Sequence, residues 1–219
     1  MGNGIVRNLR KDISVEFRSR FALNISISFA CITTIALSLA GGGVPFTPQV
    51  QSMLLWLVIF FSGMNGLSHI FVREEDRGTS LFLRLHASPD AIFASKLIYN
   101  IAFMAVMLCV ITPLFLFFIQ VTVRDALSFA GTVAAGGLSI AAATTITAAM
   151  VAKAGGRGSL FTIISFPVLL PVLWLSISAT ASSLEPTGRV DHGALVFLLA
   201  FSGFITAISF LLFRFVWQD

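Results

Sequence analysis

Charge is scarce in this chain: 11% of its 219 residues are Asp, Glu, Lys or Arg, while 57% are hydrophobic. No soluble domain can hide that much apolar surface, so the composition predicts an all-α integral membrane protein. The net charge of +4 is too small to argue for a nucleic-acid partner. Tyrosine is nearly absent, with 1 Tyr against 22 Phe, which suits helices that face lipid. The two cysteines, Cys31 and Cys109, lie within apolar runs and read as buried small hydrophobes. There is no Cys-x-x-Cys pair and no His/Cys cluster, so a metal site or covalent haem attachment has no support. There is no Gly-x-x-x-x-Gly-Lys-[Ser/Thr] either, so the chain does not cradle nucleotide phosphates by the P-loop route. Catalytic and cofactor-binding residues are therefore expected to be absent, and the chain is read as a non-enzyme. A cleaved signal peptide is not expected, because the polar N-terminus carries Asp12 and Glu16 rather than a short basic run.

What is present is apolar sequence in membrane-sized lengths. A helix needs about 20 such residues to cross a bilayer. Six stretches qualify: Phe21–Gly41, Val50–Val72, Leu97–Ile119, Ala126–Ala152, Ser159–Ser183 and Ala194–Phe213. Short breaks separate them, among them Gly41-Gly42-Gly43-Val44-Pro45, Arg124-Asp125 and Lys153-Ala154-Gly155-Gly156-Arg157-Gly158. Twelve basic residues fall on one side of these spans: Arg7, Arg10, Lys11, Arg18, Arg20, Arg73, Arg77, Arg84, Lys96, Lys153, Arg157 and Arg214. Two, Arg124 and Arg189, fall on the other. The positive-inside rule then predicts a multi-pass protein with both termini cytoplasmic.

Residues 1–20 are too polar to span. Ile5, Leu9, Ile13, Phe17 and Phe21 recur at steps of four with basic residues largely between them. That pattern predicts an amphipathic helix in the cytoplasmic interface, preceding a six-helix domain over 21–219.

No charged residue lies near the middle of any span, which argues against a carrier driven by protons or sodium. Asn65 and His69 share a face of the second span and read as interhelical hydrogen-bonding groups. Small residues crowd the fourth span, including Gly131, Gly136 and Gly137, and allow another helix to approach closely. That helix could belong to the same bundle or to a second copy. Pro167 and Pro171 lie four apart in the fifth span. Each removes a backbone donor, so the helix is expected to bend or open there, as a static kink or as a hinge, with neighbours or Ser165 meeting the freed carbonyls. His192, beside Asp191 on the outer side, reads as a solvated loop histidine.

The one long polar interruption runs from Arg73 to Lys96. Glu74, Glu75 and Asp76 favour a helix N-terminus, where negative charge meets the positive end of the dipole. Leu81, Phe82 and Leu85 follow as an apolar stripe, so a short amphipathic helix is expected from about Glu74 to His86. Ser88-Pro89-Asp90 then supplies an N-cap, a proline at the first position and an acid in the first turn for the next helix.

The pattern Phe71-x-Arg73-Glu74-x-x-x-Gly78-Thr79-x-Leu81, then Pro89 and Lys96, resembles the cytoplasmic loop of ABC-2-type transporter permeases. Gly155-Gly156-Arg157-Gly158-Ser159-Leu160 followed by Pro167-x-x-x-Pro171 is similar to the haem exporter protein B family, permeases of cytochrome c maturation. The resemblance implies that residues 74–86 form a coupling helix docking an ABC ATPase subunit. The docking set would be Glu74, Glu75, Asp76, Arg77, Gly78, Thr79, Leu81, Phe82 and Leu85. Ser88, Pro89 and Lys96 would start the helix behind it, and Pro167 and Pro171 would be the hinge. It further implies a bacterial inner membrane, a homodimer, a haem-handling membrane protein, a small membrane subunit and a haem chaperone as partners. ATP would be bound by the partner subunit, and haem would be cargo of the complex rather than a cofactor of this chain. Work from ATP would drive haem delivery, or release of the loaded chaperone, at the outer face. The alternatives are a generic ABC-2-type exporter of a lipid, drug or polysaccharide, and an assembly scaffold with no substrate path.

Overall fold

The computed structural model describes residues 2–67, 88–153, 158–185 and 192–218. Seven α-helices occupy them: α1 (Gly2–Ser19), α2 (Phe21–Ala40), α3 (Pro48–Leu67), α4 (Pro89–Ile119), α5 (Ala126–Lys153), α6 (Gly158–Leu184) and α7 (His192–Gln218). Among the described residues there is no strand. Helices α2 to α7 are each long and apolar enough to cross a membrane. The protein is an all-α integral membrane protein.

The helix ends follow local chemistry. Arg20, between α1 and α2, is left-handed at φ 49°, an uncommon conformation for a residue with a side chain. Glu16 reaches across that corner, and its Oε1 accepts from the backbone N–H groups of Ala22 at 3.1 Å and Leu23 at 3.2 Å. It thereby satisfies two donors that a helix start leaves open. After α2, Gly42 and Gly43 take φ 58° and 80°, a turn that glycine makes without steric cost. Pro48 opens α3 at a position where the missing N–H costs nothing. The carboxylate of Asp125 accepts from Leu127 and Ser128 N–H, both at 3.1 Å, and so caps α5.

Helix α5 packs against α3, α4, α6 and α7, and α3 packs against α2, α4 and α6. In the most apolar window of α3 and of α5, 67% of the residues are buried, against 22% in α2 and 17% in α7. The first pair is thus the core of the bundle and the second part of its outer wall. The small residues of α5 serve this internal packing. A Cβ placed at Gly136 would lie 2.2 Å from Trp56 Cη2 and 2.7 Å from Ser176 Oγ. One at Gly137 would meet Leu108 Cδ1 at 2.4 Å, and one at Gly131 faces Leu195. Both glycines of the 136–137 pair therefore pack inside the bundle.

Buried hydroxyls and amides join the spans where ionic groups are missing. Trp56 Nε1 donates to Thr180 Oγ1 at 2.9 Å, linking α3 to α6. Asn100 Nδ2 donates to Thr145 Oγ1 at 2.9 Å, linking α4 to α5. Ser139 Oγ donates to the Leu198 carbonyl at 2.8 Å, linking α5 to α7. Asn65, expected to make such a bond, instead lies exposed on α3, while His69 falls outside the described residues. The cysteines also differ from expectation: Cys31 is half-buried and Cys109 exposed. In a membrane the outer face of a helix is as apolar as its inner face, so hydrophobicity alone does not place a side chain inside.

Candidate coupling interface at the polar end of the bundle

Three segments distant in sequence meet at one end of the bundle: α1, the first turns of α4 and the last turns of α7. The nine residues expected to dock an ATPase, Glu74 to Leu85, all lie outside the described residues. The chain re-enters the described structure at Ser88, so the meeting point is the footing of that loop.

Ser88 is extended at φ −67° and ψ 146° and precedes the first turn of α4, with Pro89 and Asp90 in that turn. The backbone of an N-cap is in place, but the Ser88 side chain makes no capping hydrogen bond. Proline forces this geometry, because the residue before it is steered out of the helical region. Asp90 is turned sideways to α7, where its carboxylate accepts from Arg214 Nε at 2.9 Å and Nη2 at 2.7 Å. This two-point contact sets orientation. The guanidinium side chain is 59% exposed, so salt screens the pair and its weight in stability is small. One turn on, Phe93 is fully buried, with ring centroids 4.9 Å from Phe210 and 5.1 Å from Phe213.

Lys96 lies on another side of α4 and is turned toward α1. Its Nζ is 3.1 Å from Asp12 Oδ2, and both side chains are only 2% exposed. Lys11 approaches the other oxygen of Asp12 at 3.5 Å from the surface. Asn8, Asp12 and Glu16 are all buried and spaced by four, so they form one inward stripe on α1. Sequence reasoning missed this stripe because it followed Ile5, Leu9 and Ile13, which lie one position further along. The signal was there: two acids and an amide at steps of four in a helix whose other charges are basic. Removing one member of a buried ion pair costs about 3–5 kcal/mol, since the other charge is left in a poor solvent.

The two prolines of the fifth span lie well away from this end. Pro167 and Pro171 both fall inside α6, which continues unbroken from Gly158 to Leu184. Ser165 does not turn back to the freed carbonyls but pairs with Thr147 Oγ1 at 3.0 Å. His192 is exposed at the start of α7. A groove of about 510 Å³ opens between α4 and α5, lined by apolar side chains and Thr112. Among the described residues no three His, Cys, Asp or Glu side chains gather as a metal-binding group.

Compared with known proteins, the chain matches the family model described as CcmB protein over residues 4–216. A search of curated proteins gave no match.

Proposed function

The chain belongs to the CcmB protein family, and from that membership we propose that it is the permease subunit through which a separate ABC ATPase drives cytochrome c maturation. The family, that of haem exporter protein B, makes it a membrane transport subunit in haem transport and cytochrome c biogenesis. In the proposed arrangement the polar end of the bundle faces the cytoplasm of a bacterial inner membrane. Residues 74–86 form the helix that seats in the ATPase, with Glu74, Glu75, Asp76, Arg77, Gly78, Thr79, Leu81, Phe82 and Leu85 at the contact. Two such chains work with a haem-handling membrane protein, a small membrane subunit and a haem chaperone. ATP is spent in the partner, and its binding and hydrolysis displace the loop. The displacement delivers haem, or releases the loaded chaperone, at the outer face. Pro167 and Pro171 supply a yielding point in α6.

The observation that carries this reading is the near full-length family match, joined to the geometry behind the loop. Ser88 and Pro89 lead without a linker into α4, a helix of 31 residues. A helix that long spans about 46 Å at 1.5 Å per residue, so motion imposed at Pro89 reaches the far side of the membrane. The test is purification of the chain from membranes with its partners. An ATPase co-purifies with the unaltered chain, and Glu74→Lys or Leu81→Asp abolishes that association while the protein still inserts. A buried charged contact at such an interface is worth about 2–5 kcal/mol when one partner is lost, tens- to thousands-fold in affinity. Unchanged ATPase binding by both variants would refute the docking assignment.

A further inference from the structure

Lys96 and Asp12 are far apart in sequence, both nearly sealed from solvent, and 3.1 Å from one another. A buried ion pair is weak evidence for stability, because well-packed apolar residues of similar volume do as well or better. What an ion pair adds is a fixed register. Hydrophobic burial is non-directional and does not choose which groups meet, whereas two charges in a low-dielectric joint must stay opposite one another. This joint sits two turns past Pro89, where the loop proposed to meet the ATPase becomes a span. It also sits one turn before Glu16, whose carboxylate holds the first N–H groups of α2. The path from the start of α4, across the buried Lys96–Asp12 ion pair to α1, and through the hydrogen bonds of Glu16 to α2 is thus made of polar contacts between fixed partners.

We infer that Asp12 and Lys96 are positioning residues that make α1 a second output of the coupling loop. A displacement entering at Pro89 is handed at Lys96 to α1, and at Glu16 to α2, so that α1 and α2 travel with α4 instead of α4 moving alone. The inference rests on the coupling reading given above. Nucleotide-driven motion is then a movement of three helices as one body, and it requires the charge at position 12 rather than bulk alone.

Distance measurement between spin labels tests this in the intact complex. Labels are placed at Ser14 on α1 and Ile98 on α4, both exposed, with Cys31 and Cys109 replaced by Ser. The α1–α4 distance is expected to stay the same in nucleotide-free and ATP-bound complexes. Asp12→Asn is expected to broaden it and to lower cytochrome c maturation at least about ten-fold. The charge-swapped pair Asp12→Lys with Lys96→Asp is expected to recover both readouts. A distance that changes on ATP binding in the unaltered chain overturns the inference, and needs no variant to fold. Maturation within about two-fold of normal in Asp12→Asn overturns it as well. If no ATPase co-purifies with the unaltered chain, the coupling reading fails first and takes this inference with it. An ATPase that binds normally beside a changing distance refutes the inference alone.

Discussion

Gly136 gives the sharpest quantitative expectation in the membrane core. Its replacement by Ala puts a Cβ 2.2 Å from Trp56 Cη2, whereas ordinary contact begins at 3.4 Å, so the two groups must part by 3.4 − 2.2 = 1.2 Å. The indole has nowhere simple to go. Trp56 is fully buried, and its Nε1 donates to Thr180 Oγ1 at 2.9 Å. Overpacking of this kind costs about 1–3 kcal/mol. If the indole tilts away from Thr180, an unsatisfied buried donor adds about 1–3 kcal/mol. The gain in helix propensity returns at most about 1 kcal/mol. With both costs the net is a loss of roughly 1–5 kcal/mol on those figures. For a chain of this size each kcal/mol is worth about 2–4 °C in Tm, so thermal unfolding in detergent is expected to shift down by several degrees. Gly137→Ala is the control. Its nearest neighbour is the terminal Cδ1 of Leu108, a half-buried side chain that can change rotamer, so its Tm stays close to normal. Equal stability of Gly136→Ala and the unaltered chain would refute this packing argument, as would equal damage at both positions.

Two further expectations concern the spans. Single cysteines at Thr187 and at Gly158, in a background without Cys31 and Cys109, are expected to label from opposite sides of the membrane with Thr187 outside; same-side labelling would contradict the six-span topology. Replacing Pro167 and Pro171 together by Ala restores two helical hydrogen bonds to α6, and is expected to leave insertion intact while lowering cytochrome c maturation. Undiminished maturation in that double variant would reduce both prolines to passive features of a continuous helix.

The six spans were legible in the sequence because a bilayer imposes a length and an apolar composition that no neighbour can override. The breaks were legible for a similar reason: Gly42, Gly43 and Pro48 act locally. The partners of polar groups were not legible. Asn65 and Asn100 look alike as amides within or beside an apolar run, yet one is exposed and the other is bonded to Thr145. Periodicity says that a face of α1 is polar, and it does not say what that face meets. Asp12 and Lys96 were each visible, one in an amphipathic helix and the other at the close of a loop. Their pairing depends on how α1 lies along α4, which no local pattern encodes. The choice between internal packing and a second copy for Gly136 also needed the neighbouring helices, since the residue type alone admits both.

The central proposal is that this chain carries work from a partner ATPase into cytochrome c maturation. The most direct measurement is covalent haem attachment to c-type cytochromes in cells deleted for this chain and supplied with either the unaltered protein or Leu81→Asp. The account predicts that the unaltered chain restores attachment, and that Leu81→Asp reaches the membrane in normal amount but restores none. Full restoration by Leu81→Asp, or normal attachment in cells with no copy of the chain, would contradict it.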